Sequence, residues 1–107
     1  MKIKILDRTW KVSMISGDAF KKRFEEALDG ITLPETLEIV YCADDLNLAT
    51  VTHELVHAYF AGLCLDSTHL TQDQQEEVFA ELFSRYGAQM LKVSKALFKS
   101  LTDNDKS

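Results

Sequence analysis

The residues best suited to chemistry are His53, Glu54 and His57, in the run His53-Glu54-Leu55-Val56-His57, which matches H-E-x-x-H. Residues four apart on a helix point nearly the same way, so two imidazoles can grip one ion from one face. Neutral imidazole nitrogen is a good zinc ligand at about 2.0–2.1 Å. Glu54 lies beside the pair and can act as general base towards a water that the metal acidifies. Two histidines and a glutamate in this pattern arise by chance in fewer than about one chain in a hundred of this length. A lone histidine on an apolar helix is more often core than ligand, but three such residues in register are not.

A catalytic zinc needs a third protein ligand and an open position. The longer H-E-x-x-H-x-x-G-x-x-H pattern fails, because Phe60 stands where glycine should be and Leu63 where histidine should be. Two candidates remain. In Glu77-Val78-Phe79-Ala80-Glu81, Glu77 could bind the metal while Glu81, one turn on, hydrogen-bonds the free ring nitrogen of a ligating histidine. Glu76, the preceding residue, offers a one-residue shift of the ligand position. The other candidate is His69, in a loop. The plainer reading of Glu76, Glu77 and Glu81 is a solvated helix face, with Val78, Phe79, Leu82 and Phe83 on the core side.

His53-Glu54-Leu55-Val56-His57-Ala58-Tyr59, followed by Glu77-Val78-Phe79-Ala80-Glu81, resembles the gluzincin metallopeptidases. More narrowly it is similar to the minimal gluzincins and the small phage-borne and ImmA/IrrE-like metallopeptidases, over roughly residues 36 to 90. The resemblance implies a zincin-like core, a Zn2+ cofactor and a peptide or protein substrate. It also implies His53, His57 and Glu77 as metal ligands, Glu54 as catalytic base and Glu81 as support for a histidine. Glu81 stands where that family often has aspartate. His69 resembles the third histidine of SprT-like proteases. The resemblance further implies an edge strand near Thr36 to Ala43 that holds an extended peptide. Tyr86, with Tyr41 and Tyr59 as alternatives, is a candidate hydroxyl for the oxyanion, although buried packing is the commoner role for such tyrosines. A rival expectation is a non-catalytic binding or inhibitory protein, such as a phage or mobile-element factor, on the same scaffold.

The elements that must position these residues follow from periodicity. Lys2 to Ile5, and Trp10, Val12 and Met14, alternate as two strands joined by a short turn. Ser16 caps an expected helix from Gly17 to Asp29 with Phe20, Phe24, Ala27 and Leu28 inside, and Gly30 suits its C-terminus. Pro34 marks a loop, and Leu37, Ile39 and Tyr41 a third strand. Asp44 or Asp45 is the expected cap of the helix that carries His53 and ends near Gly62. Thr71 and Gln74 form a capping box for a last helix to about Leu101, with a bend or break allowed at Gly87. The expected fold is α+β: about three strands in a small antiparallel or mixed sheet, packed with three helices. Residues 1–101 read as one domain and 102–107 as a polar, frayed tail.

Composition narrows the function. The chain has 107 residues, 46% hydrophobic and 27% charged, and a net charge of -5. That balance disfavours nucleic acid as partner, and Lys21, Lys22 and Arg23 read as a solvated helix face. No run approaches the roughly 18 apolar residues of a membrane span, and Met1 to Asp7 lacks a signal-peptide pattern. A cytoplasmic location is expected, with Cys42 and Cys64 as free thiols.

Overall fold

The computed structural model describes residues 1–25, 28–63 and 70–106. Lys2–Ile5 (β1) and Arg8–Ile15 (β2) form the expected hairpin, with Ile3 opposite Trp10 and Leu6 turning the chain at φ 57°. Ser16 caps the first helix, α1 (Gly17–Phe24), its hydroxyl accepting the Ala19 N–H at 3.2 Å.

The sequence expectation overran here. Helix α1 stops at Phe24, and Glu25 takes φ 57° and donates its N–H to the Lys21 carbonyl at 2.8 Å. Gly30 caps nothing; it opens a further strand, Gly30–Leu33 (β3). Ala27 lies outside the described residues. With Glu38–Cys42 (β4), the sheet has four strands in the order β1-β2-β4-β3 rather than about three. Strand β4 runs parallel to β2 and antiparallel to β3, so the sheet is mixed and the class α+β.

Strand β4 is not the edge that residues 36–43 were expected to provide. It lies inside the sheet, and Ile39, Val40, Tyr41 and Cys42 are all buried. Such two-sided burial marks an interior strand. Its even and odd residues serve different layers. Val40 and Cys42 pack with Phe20 of α1, whereas Ile39 and Tyr41 join Trp10, Val12 and the other two helices. Each fully buried aliphatic side chain there contributes about 1.5–3 kcal/mol. The edge next to β4 is β3.

Ala43–Asp45 forms a single 3-10 turn, and the following helix, α2 (Leu48–Gly62), is capped by Asn47 rather than Asp44 or Asp45. The Asn47 Oδ1 accepts the Thr50 N–H at 2.9 Å, a geometry open to any short polar side chain at that position. The buried Tyr41 hydroxyl donates to the Val51 carbonyl at 3.0 Å and ties α2 to β4.

The last helix, α3 (Gln72–Lys106), starts at the expected capping box: the Gln74 N–H reaches Thr71 Oγ1 at 3.2 Å and the Thr71 N–H reaches Gln74 Oε1 at 3.0 Å. It runs unbroken through Gly87 and continues past Leu101, into residues expected to fray. Leu82, Met90, Leu97 and Leu101 are buried on both sides of Gly87, and this packing outweighs the ~1 kcal/mol glycine penalty. No described helix is long and apolar enough to cross a membrane.

Candidate metal centre

Helix α2 turns one face to the core and the other to a cleft. Val51, Leu55, Ala58 and Tyr59 are fully buried, while His53 and His57 are exposed on the opposite side. The four-residue spacing brings His53 Nε2 and His57 Nε2 to 3.2 Å, with the rings edge-on. Two nitrogens 3.2 Å apart, each about 2.0–2.1 Å from a shared ion, subtend about 100° there, near the tetrahedral angle of zinc sites. The same separation lets one ring donate a hydrogen bond to the other when no ion is held.

Glu54 sits at the floor of the cleft, only 6% exposed. Thr32 on β3 holds it: the Thr32 hydroxyl lies 2.8 Å from Glu54 Oε1 and 3.0 Å from the Glu54 main-chain carbonyl. The other carboxylate oxygen, Oε2, lies 3.9 Å from His53 Nε2. Sequence reasoning missed Thr32, because Gly30 was read as the end of a helix and the strand that carries Thr32 was not seen. Gly30 allows the close fit of β3 on α2: a Cβ there would meet Tyr41 Cδ1 at 3.1 Å and Glu54 Cγ at 3.2 Å. Burial pushes the Tyr41 hydroxyl well above its usual range, and the Glu54 carboxylate adds to the shift.

The cleft is a cavity of about 960 Å³. Gly30, Ile31 and Thr32 form one wall, Val56 and Phe60 line it beside the histidines, and Gln75 and Phe79 close it from α3. In the antiparallel ladder with β4, Asp29 accepts from the Cys42 N–H at 2.9 Å. Alternation therefore turns the main-chain groups of Gly30 and Thr32 away from β4, to the open edge.

The expected acidic partners are elsewhere. Glu77 is exposed and lines a different, smaller cavity with Leu63, Val78, Leu82 and Tyr86. On a helix turning about 100° per residue, Glu77 stands roughly 160° around α3 from Phe79, whereas Glu76 stands roughly 60° from it. Glu81 lines that second cavity and pairs with Arg85 at 3.0 Å. Tyr86 lies there too, its ring 5.8 Å from that of buried Tyr59. Tyr41 spends its hydroxyl on Val51. His69 and Cys64 lie outside the described residues, and Cys42 is a buried free thiol. Among the described residues, no third His, Cys, Asp or Glu completes a metal group with the histidine pair. The His53 and His57 nitrogens thus have the spacing of two ligands of a zinc site, with a buried carboxylate beside them. Lys21, Lys22 and Arg23 are exposed on α1, where Arg23 pairs with Glu38 at 3.3 Å and lies over Phe24.

In comparisons with known proteins, no family model, no curated protein and no solved structure matches the chain.

Proposed function

We propose that the protein is a zinc-dependent metallopeptidase whose reaction centre is the His53–Glu54–His57 face of α2. The observation that carries this reading is the 3.2 Å approach of the two imidazole nitrogens beside a buried, oriented Glu54 carboxylate. His53 and His57 would hold the ion, which when bound supplies Lewis-acid activation of water and of the peptide carbonyl. Glu54 takes a proton from the attacking water and returns it to the leaving amine. Thr32 holds Oε1, which leaves Oε2 on the histidine side of the carboxylate to do this work.

The third ligand is the open element. A role for Glu77 requires α3 to turn on its axis, a role for Glu76 requires a smaller turn, and His69 would enter from the α2–α3 connection. That gap also favours a second reading, a binding protein that keeps the scaffold without the reaction.

Metal analysis of the purified chain, after zinc is supplied, tests the proposal. Near one zinc per chain is expected, lost in His53→Ala and in His57→Ala. Parallel analysis of Glu77→Ala, Glu76→Ala and His69→Ala identifies the third donor. Glu54→Gln should keep the zinc and abolish peptide hydrolysis; unchanged cleavage would sink the mechanism. Failure to take up zinc would leave the binding protein as the better account.

A further inference from the structure

The charges of this chain are segregated along the sequence, and the fold turns that into a polarity across the molecule. None of the 12 Lys and Arg residues lies between Phe24 and Ser84, whereas 13 of the 17 Asp and Glu residues do. That stretch supplies β3, β4, α2 and the first turns of α3, and hence every residue that lines the cleft. Six of the seven basic residues before Phe24 gather on the other side, and the remaining five follow Ser84 along α3. Lys2, Lys4 and Lys11 occupy the sheet face on which α1 packs, since Lys11 shares the register row of Lys2 and Glu38. Lys21, Lys22 and Arg23 add to that side from α1.

The carboxylates around the cleft are uncompensated. Asp29 lines it, Glu35 follows the lining residue Pro34, Glu76 follows the lining residue Gln75, and Asp73 stands in the same first turn of α3. All four are exposed, and none is in an ion pair among the described residues. Their field falls on an apolar surface. Phe79 is 44% exposed and Phe83 51%, with rings 6.4 Å apart, and Phe79 lies 5.1 Å from Phe60 inside the cleft. An apolar groove with exposed, unpaired carboxylates at and near its rim attracts a cation that carries apolar surface and repels anions. Exposed aromatic faces also accept lysine and arginine.

We infer that the occupant of this cleft is an extended cationic peptide segment, with lysine or arginine beside large apolar side chains. The inference rests on the reading of the cleft as a peptide site and names the substrate class. Neutral or acidic peptides of equal apolar content meet the same groove without the attraction, and acidic ones meet repulsion. Nucleic acid is excluded from the cleft by the same field.

The test uses the full chain carrying Glu54→Gln, so that binding is read without turnover. Three fluorescent peptides of one length share the same Phe and Leu residues and differ in four positions, all Lys, all Gln or all Glu. Fluorescence anisotropy at low salt should rank them Lys, Gln, Glu, with the Lys peptide at least about tenfold tighter than the Glu peptide. The gap should shrink at about 0.5 M salt, where screening is short-ranged. It should collapse in the combined variant Asp29→Asn, Glu35→Gln, Asp73→Asn and Glu76→Gln, whose exposed sites leave the core intact. Phe79→Ala should weaken all three peptides alike.

Equal binding of Lys and Glu peptides, or a gap that survives the four substitutions, overturns the inference. So does a salt-sensitive doubling of mass that these substitutions abolish, because that assigns the cleft to the basic side of a second copy. A Lys preference in a protein that takes up no zinc and cleaves nothing removes the peptidase reading and leaves the cationic occupant standing. Cleavage of Lys and Glu peptides by the wild-type protein with equal kcat/KM does the reverse.

Discussion

The Thr32 hydroxyl lies 2.8 Å from Glu54 Oε1 and 3.0 Å from the Glu54 carbonyl, so one side chain on the sheet edge addresses both ends of the residue proposed as base. Thr32→Val keeps the shape and removes the O–H donor. Turnover of a cleaved peptide should fall about tenfold or more, with zinc content unchanged, and Thr32→Ser should restore most of it. A loss of zinc in Thr32→Val would mean that the hydroxyl shapes α2 rather than the carboxylate. Chemical denaturation should show a stability cost of about 1 kcal/mol in the same variant.

Gly30 sits where a methyl group would be tightly packed. Gly30→Ala sets a Cβ against Tyr41 Cδ1 and Glu54 Cγ at 3.1 and 3.2 Å. Tyr41, Glu54 or β3 must give by a few tenths of an ångström, at about 1–3 kcal/mol. The urea midpoint should drop accordingly, and hydrolysis should drop further than Thr32→Ser lowers it. A midpoint at the wild-type value would show that the β3–α2 contact is looser than described.

Alkaline stability should report on Tyr41. Burial raises its pKa in the fold, with the Glu54 carboxylate adding to the rise. The unfolded chain therefore releases this proton first, near pH ~10. The stabilisation is complete below that pH and is lost as pH rises from there towards the folded value. Urea midpoints measured from pH 8 upward should fall above pH ~10, and Tyr41→Phe should flatten that fall. At neutral pH the same variant should cost about 1 kcal/mol for the lost bond to Val51. Tyr59, also raised by burial and by Tyr86, keeps part of the slope in the variant.

Thr71 and Gln74 satisfy each other's main-chain N–H groups at the start of α3. Thr71→Ala should lower stability by about 1 kcal/mol. Hydrogen exchange should rise in the first turns of α3, which carry Gln75 and Phe79, and stay unchanged around the buried Met90 and Leu97.

Legibility of the fold depended on how much signal each segment carries locally. The hairpin, the Ser16 cap, the helix bearing His53 and the Thr71–Gln74 box are written in alternation, side-chain type and spacing, and all were readable. Strand β3 was not: Gly30–Leu33 is four residues long, has one polar residue among its last three, and begins with a glycine that also suits a helix end. Its strand character comes from pairing with β4, which no local pattern encodes. The cap of α2 was misplaced because three neighbouring residues, Asp44, Asp45 and Asn47, all suit that role, and the 3-10 turn decides among them. In the candidate site the same division holds. The His53–His57 approach follows from helical spacing alone. The position of Glu77 depends on the rotation of α3 against α2, which is set by packing around Leu82 and Tyr86 and lies beyond local sequence.

Strand β3 gives the cleft an open main-chain edge and, through Thr32, the anchor of Glu54. Docking and alignment would then be one mechanical event. A peptide chain laid along Gly30 and Thr32 would stiffen the short strand from outside, and the stiffening would pass through a single hydroxyl to the carboxylate at the cleft floor. The uncovered protein would hold its base on a four-residue tether, and a correctly placed peptide would tighten it. Short peptides that reach the histidines without spanning β3 would forgo that tightening, and their deficit would appear in the rate of bond cleavage more than in affinity.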